Sequence, residues 1–248
     1  MICNSGTAFR ARVDGRRLSF AELGIYNGVF VMRDDQTGSL WSHYTGEAFE
    51  GPLKGQVLPW IQLERTTFER LKSEHANATM PERSSMRMRS TPPMSGREAM
   101  GNQLPSDFIG TLPDEMGSLP YHTHGLGVAV ADAHRFYALD RLSDHAVIND
   151  TIGRLPVVVF LHDGSATAAA YSSCLDGRTL TFEATLWEGH PAVRDRETGT
   201  VWSPQGQAVS GTLVGQALTP IRAIVTDWYG WKAYFNQTDV FEPKRSRK

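Results

Sequence analysis

Cysteine is nearly absent: 248 residues hold only two, Cys3 and Cys174, which excludes a disulfide-stapled fold and leaves each thiol to be judged singly. Long apolar runs are missing as well. No stretch reaches the ~18 to 20 apolar residues a spanning helix needs, and the opening MICNSGTAFRARVDG lacks the basic and apolar regions of a signal peptide. The chain as given therefore has no membrane segment and reads as soluble. A surplus of positive charge is also lacking. With 25 Lys and Arg against 27 Asp and Glu, net charge -2 and pI near 6.4, there is no basic footprint for nucleic acid. No Ser-centred nucleophile elbow, phosphate-binding glycine loop or His-Glu-x-x-His helix occurs, so hydrolase and nucleotide readings have no support. What is present is ordinary for a globular protein: 40% hydrophobic and 21% charged residues, with mean hydropathy -0.33. That length and composition suffice for one large or two medium domains.

The strongest internal signal is a long-period repeat. VDGRRLSF (13–20) matches LDGRTLTF (175–182), and NGVFVMRDDQTGSLWS (27–42) matches EGHPAVRDRETGTVWS (188–203). In the same order, GEAFEGPLKGQVLPWI (46–61) lies over GQAVSGTLVGQALTPI (206–221), and TTFERL (66–71) over TDWYGW (226–231). Asp14, Arg33, Asp34, Trp41, Gly46 and Gln56 recur at offsets of 160 to 162. This period is far too long for a solenoid unit of roughly 20 to 50 residues, and it points to a duplicated lobe.

Each copy is punctuated as antiparallel strands are. Asp14-Gly15 and Asp176-Gly177 sit between alternating apolar runs, the two-residue hairpin signal, because both turn residues need positive φ. Apolar residues three apart (Phe68 and Leu71, Trp228 and Trp231) predict one short helix per copy, at about 66–75 and 226–235. The fold class expected is mainly β, a β-rich α+β arrangement of two homologous antiparallel lobes. The first spans 1–80, a Ser, Pro, Arg and Met-rich linker 81–120, the second 121–240, and a basic tail 241–248. Four strand-like runs, GLGVAVAD, HRFYALD, HAVIND and LPVVVFL, precede the second hairpin. The first copy has no counterpart of them, so its lobe reads as N-terminally incomplete, with an open sheet edge.

These residues resemble the bacterial and archaeal family called domain of unknown function 3179. The resemblance rests on VINDTIGRLPVVVFLHDGSA (147–166), RDRETGTVWS and TDWYGW in the second copy, and on CNSG (3–6), RDDQTGSLWS and GEAFEGPLKG in the first. It covers most of the chain. The family pattern places a Cys-x-x-Cys at the end of a buried strand, and Cys3 aligns with its second cysteine. The first would fall immediately before Met1. Some members resemble selenoproteins, so the resemblance implies a longer frame with cysteine or selenocysteine at that place, preceded by a further strand. In the second copy the same two places are held by His162 and Ser165, which makes that lobe thiol-less and a structural or regulatory partner.

From this resemblance come the candidate sites. Cys3 is expected to be the resolving thiol of a redox pair, since reversible exchange needs a second thiol within disulfide reach. The same pair alternatively binds a soft metal ion, Cu(I) or Zn(II). His43 follows Trp41-Ser42, where the family usually has glutamine, and is a candidate to approach Cys3 across the sheet. His145 and His162 form a candidate two-ligand metal site in the second copy. His122 and His124 have ligand-like spacing, while Asp34, Trp41, Asp195 and Trp202, shared by both copies, are expected to be structural. Cys174 matches no motif position and is expected to be a small packed hydrophobe. The readings that remain are a thiol or selenol redox protein with an unidentified redox or protein partner, and a noncatalytic metal-binding or interaction scaffold. The compartment is open, export or membrane tethering being a property of any longer native form.

Overall fold

The computed structural model describes residues 3–26, 28–65, 68, 71–72, 77–79, 104, 109–110, 112–117, 119–161 and 168–243. The chain is mainly β. The N-terminal half contains β1 (Ala8–Phe9), β2 (Arg12–Val13), β3 (Arg16–Arg17), β4 (Phe20–Tyr26), β5 (Val29–Asp34), β6 (Leu40–Ser42), β7 (Ala48–Glu50) and β8 (Trp60–Ile61). β2 and β3 form a hairpin, β4 to β7 an antiparallel sheet in sequence order, and β1 pairs with β8.

The C-terminal half opens with β9 (His124–Val130) and β10 (Ala133–Ala138), then β11 (Val147–Ile152), β12 (Leu155–Leu161) and β13 (Ala168–Ser172). A hairpin of β14 (Cys174–Leu175) and β15 (Arg178–Thr179) follows, then β16 (Phe182–Trp187), β17 (His190–Asp195), β18 (Val201–Trp202) and β19 (Ala208–Ser210). Last come β20 (Ala223–Asp227), α1 (Trp228–Tyr234) and β21 (Thr238–Val240), α1 being the one α-helix whose whole extent lies among the described residues. Sheet β16-β17-β18-β19 has the sequential order of β4-β5-β6-β7, and a separate sheet runs β20-β9-β10-β21 with its β10–β21 pair parallel.

Local chemistry explains why the hairpins and sheets fall where they do. Asp14 and Gly15 take φ of 48° and 76°, and Asp176 and Gly177 take 49° and 78°, the double positive φ that matches the strand twist. At the next loop, Asp34 accepts from the Thr37 amide at 2.6 Å and from Trp41 Nε1 at 2.9 Å. Asp195 does the same with Thr198 at 2.6 Å and Trp202 at 2.8 Å. Each buried carboxylate thus closes its loop and satisfies the one polar atom of a fully buried indole. For Asp34, burial opposes ionisation, but the bonds from Trp41, Thr37 and Ser39 outweigh it and hold the carboxyl below its ordinary range.

In the C-terminal half, Asn149 of β11 donates to the Phe182 carbonyl and accepts from its amide, both at 2.8 Å, tying β16 to the β11-β12-β13 sheet. Asp150 accepts from Arg135 and Tyr137 at 2.7 Å.

The two halves interlock through the segments that follow their last strands. Beyond β8, Gln62 donates to Tyr171 Oη at 3.0 Å and Glu64 accepts from Gln205 at 3.1 Å. Reciprocally, β20 and α1 reach the N-terminal half, where Tyr234 Oη meets Thr45 Oγ1 at 3.2 Å. Trp231 lies flat over Gly127 of β9, whose lack of a side chain makes the approach possible. The resulting core joins Cys3, Val29 and Tyr44 to Phe136, Trp228 and Trp231. Leu104, Met116 and Leu119, from the segment read as a linker, are buried in it too. Most of 81–120, and most of the helix expected at 66–75, lies outside the described residues.

One expectation is corrected. Cys174 is exposed, because the strand alternation of β14 turns it outward while its neighbour Leu175 faces inward.

Candidate functional site

Cys3 lies in a tight turn, with φ of 46° at Cys3 and 51° at Asn4, a left-handed backbone that non-glycine residues adopt only where surroundings compel it. The surroundings here are the far end of the chain. The Cys3 amide donates to Tyr229 Oη of α1. Its carbonyl accepts from the Asp227 amide and from Thr226 Oγ1, both at 2.8 Å. Gly230 faces the thiol: a Cβ added there would overlap Cys3 Cβ and stand 2.8 Å from Tyr44 Oη. Cys3 is thereby wholly excluded from solvent.

The sulfur begins a chain of polar contacts. Cys3 Sγ is 3.0 Å from Ser5 Oγ, Ser5 Oγ is 3.0 Å from His43 Nε2, and His43 Nδ1 is 2.9 Å from the Phe30 carbonyl. A carbonyl only accepts, so Nδ1 carries the ring proton and donates it to Phe30. Burial pushes His43 down to about 4, its bond to Phe30 opposing this only in part, so near neutrality the ring is uncharged and Nε2 is an acceptor. Ser5 then donates to Nε2, and the thiol donates to Ser5. The donors run in one direction from sulfur to imidazole. The His43 ring is fixed by stacking on Phe30, with centroids 4.2 Å apart and planes at 6°.

On the other side of the sulfur stands Tyr44, buried among aromatic rings, whose hydroxyl is 3.3 Å from Cys3 Sγ and 2.7 Å from Thr226 Oγ1. Thr226 commits its proton to the Cys3 carbonyl, so Tyr44 supplies the proton of the Tyr44–Thr226 contact. Burial first, then the nearness of Cys3, raises Tyr44 well above its ordinary value. It therefore stays a neutral donor.

A second polar cluster adjoins the turn. Buried Asp227 accepts from His122 Nδ1 at 3.1 Å and His124 Nδ1 at 3.3 Å. Arg65 donates to His124 Nε2 at 2.9 Å and to Asn4 Oδ1 at 3.4 Å. The His-x-His spacing is thus used to share one carboxylate. Among the described residues no group of three or more His, Cys, Asp and Glu side chains is placed to hold a metal ion.

Of the residues singled out in the sequence, Cys3 and His43 are brought together, through Ser5. His145 lies elsewhere, its amide bonded to the Leu142 carbonyl beside a polar groove lined by Arg135 and Asp150. His162 lies outside the described residues. Sequence reasoning passed over Ser5, Tyr44, Thr226, Tyr229 and Gly230. Two of these left a signal: Ser5 stands inside the CNSG motif, and Gly230 interrupts an otherwise apolar helical pattern.

No curated protein and no solved structure matches the chain. No helix among the described residues is long and apolar enough to cross a membrane. The family described as "Protein of unknown function (DUF3179)" matches residues 1–238, and the chain belongs to that family.

Proposed function

We propose that this is a thiol- or selenol-dependent redox protein in which Cys3 is the resolving thiol. The observation that carries the reading is the one-directional path Cys3, Ser5, His43, which gives the thiol proton a route to a neutral imidazole. In the proposed step, Cys3 attacks a disulfide or selenenyl sulfide, a new bond to Cys3 sulfur forms, and a thiolate or selenolate leaves with the electron pair. The thiol proton moves to Ser5 as the Ser5 proton moves to His43, and His43, which burial makes a weak base, does not keep the proton but relays it back along Ser5 to the leaving group. The substrate disulfide is the oxidant, so no other is required. The family pattern supports a second chalcogen ahead of Cys3, and the left-handed turn with its α1 roof supports a site made by folding rather than a remnant.

We also read the two halves as duplicated lobes, on the matching Asp-Gly turns, Asp–Trp bonds and sheet orders. The C-terminal lobe then serves as partner, since it supplies the roof of the thiol. A second reading, a noncatalytic interaction scaffold, is favoured by the complete burial of Cys3. A soft-metal role would need ligands other than the hydroxyls of Ser5 and Tyr44 that flank the sulfur.

Exposure of the full chain to glutathione disulfide, followed by peptide mass mapping, separates these. On the redox reading Cys3 gains a mixed disulfide, slowed roughly tenfold or more by Ser5→Ala and by His43→Gln, while modification of Cys174 keeps its rate. A Cys3 modified only after unfolding, or at a rate indifferent to both substitutions, would leave the scaffold reading.

A further inference from the structure

We propose that the N-terminal half carries a docking face for a polypeptide β-hairpin of the kind formed by β11 and β12. The inference comes from comparing two faces built alike, one covered and one not. In the C-terminal half, Phe160 of β12 packs between Tyr171 and Phe182, with ring centroids 5.2 Å and 5.6 Å away. Both partners are buried, at 1% and 2% exposure. Asn149 of the neighbouring strand clamps the amide and carbonyl of Phe182.

Phe9 and Phe20 hold the same stations in the N-terminal half. Phe20 pairs with Asp34 as Phe182 pairs with Asp195. Phe9 pairs with Trp60 where Tyr171 bridges Pro220, and the Phe9 ring covers Gly46 as the Tyr171 ring covers Gly206. Yet Phe9 and Phe20 are only half-buried. Among the described residues, no aromatic side chain stands against them as Phe160 does against their counterparts.

The backbone carries the more specific signal. The register that turns the Phe182 amide and carbonyl outward toward Asn149 recurs at Phe20, where no described residue bonds to either group. The pairing of β1 with β8 likewise leaves its other edge without a partner strand among the described residues, whereas β13 has β12. A row of outward amides and carbonyls beside two half-covered aromatic rings asks for extended chain. It fits one strand bearing an apolar knob and a second bearing a carboxamide. That interface is already established once in this molecule, between β12 and the surface of Tyr171 and Phe182, which identifies the occupant as a β-hairpin of that chemistry.

The test uses the full chain and a labelled synthetic peptide of residues 147–161, VINDTIGRLPVVVFL. Saturable one-site binding is expected, weakened roughly tenfold by Asn149→Ala and roughly tenfold by Phe160→Ala in the peptide. Hydrogen exchange should show new protection at residues 8–9 and 18–22. Because the substitutions are in the probe, folding of the protein is not at issue. The proposal is overturned by absence of saturable binding, by binding of the two substituted peptides as tight as that of the parent peptide, or by protection confined to residues 180–184. Self-association of the chain through this face that the peptide does not displace would also overturn it.

Discussion

Acid should weaken the fold through His43, by an amount the structure fixes in sign and scale. In the folded chain burial holds this imidazole at about 4, whereas in the unfolded chain it titrates near its ordinary value of roughly 6.5. Between those two values the unfolded chain takes up a proton that the folded chain refuses. The contribution of neutral His43 is therefore present in full above about pH 6.5 and is lost progressively by about pH 4, amounting to roughly 3 kcal/mol. His43 is buried, so solvent screening takes little from this figure. Partly buried His134 is lowered in the same direction, chiefly by desolvation, and the carboxylates titrate at the acid end. A comparison with His43→Gln removes both, because they are common to the two proteins. Urea unfolding at pH 7, 6, 5 and 4.5 should show stability falling more steeply in the parent than in the variant, by about 1 kcal/mol per pH unit. Parallel pH dependences would refute the assignment of His43 as a buried neutral acceptor, and with it the direction of the proton path from Cys3.

Trp41→Phe and Trp202→Phe each leave a buried carboxylate without its indole donor and should each cost about 1–3 kcal/mol in urea unfolding, the similar cost reflecting their similar geometry. Asn149→Ala in the chain should cost a comparable amount and open β16 first, seen as faster amide exchange at Phe182. Gly230→Ala forces a methyl group onto Cys3 and Tyr44, and should destabilise by about 1–3 kcal/mol while raising the reactivity of Cys3 toward a disulfide reagent. In the parent, thiol titration should resolve a fast phase from exposed Cys174, removed by Cys174→Ser, and a slow one from Cys3.

The sequence made the punctuation of this fold legible because the requirements are local. An Asp-Gly pair between apolar strands demands two positive φ values, and both pairs take them. The Asp34–Trp41 and Asp195–Trp202 bonds span seven residues each, close enough for recurrence along the chain to reveal a structural role. The strand runs before the second hairpin became β9 to β12 for the same reason, since alternation and β-branched content act within a few residues. The site resisted reading because its parts are remote. Nothing near Cys3 announces that Tyr229 and Gly230 will close over it, and the carboxylate shared by His122 and His124 sits at Asp227. Cys174 was misjudged on composition, which favours buried cysteines, where the decisive fact was the outward phase of a two-residue strand.

The roof over Cys3 also sets a clock. Thr226 and Tyr229 follow it by 223 and 226 residues, and at roughly 5–20 residues per second the ribosome delivers them on the order of ten to fifty seconds later. During that interval the nascent thiol stands in the open compartment, able to meet at once small disulfides, peroxides or metal ions that reach it only slowly after the core has closed. Anything bonded to the sulfur when α1 arrives competes with the helix for the space beside Gly230, so the displacement of α1 that admits a disulfide to Cys3 in the finished protein is the same one that a group already on the sulfur would enforce. The closing of α1 thus inspects the chemical state of a residue made long before it.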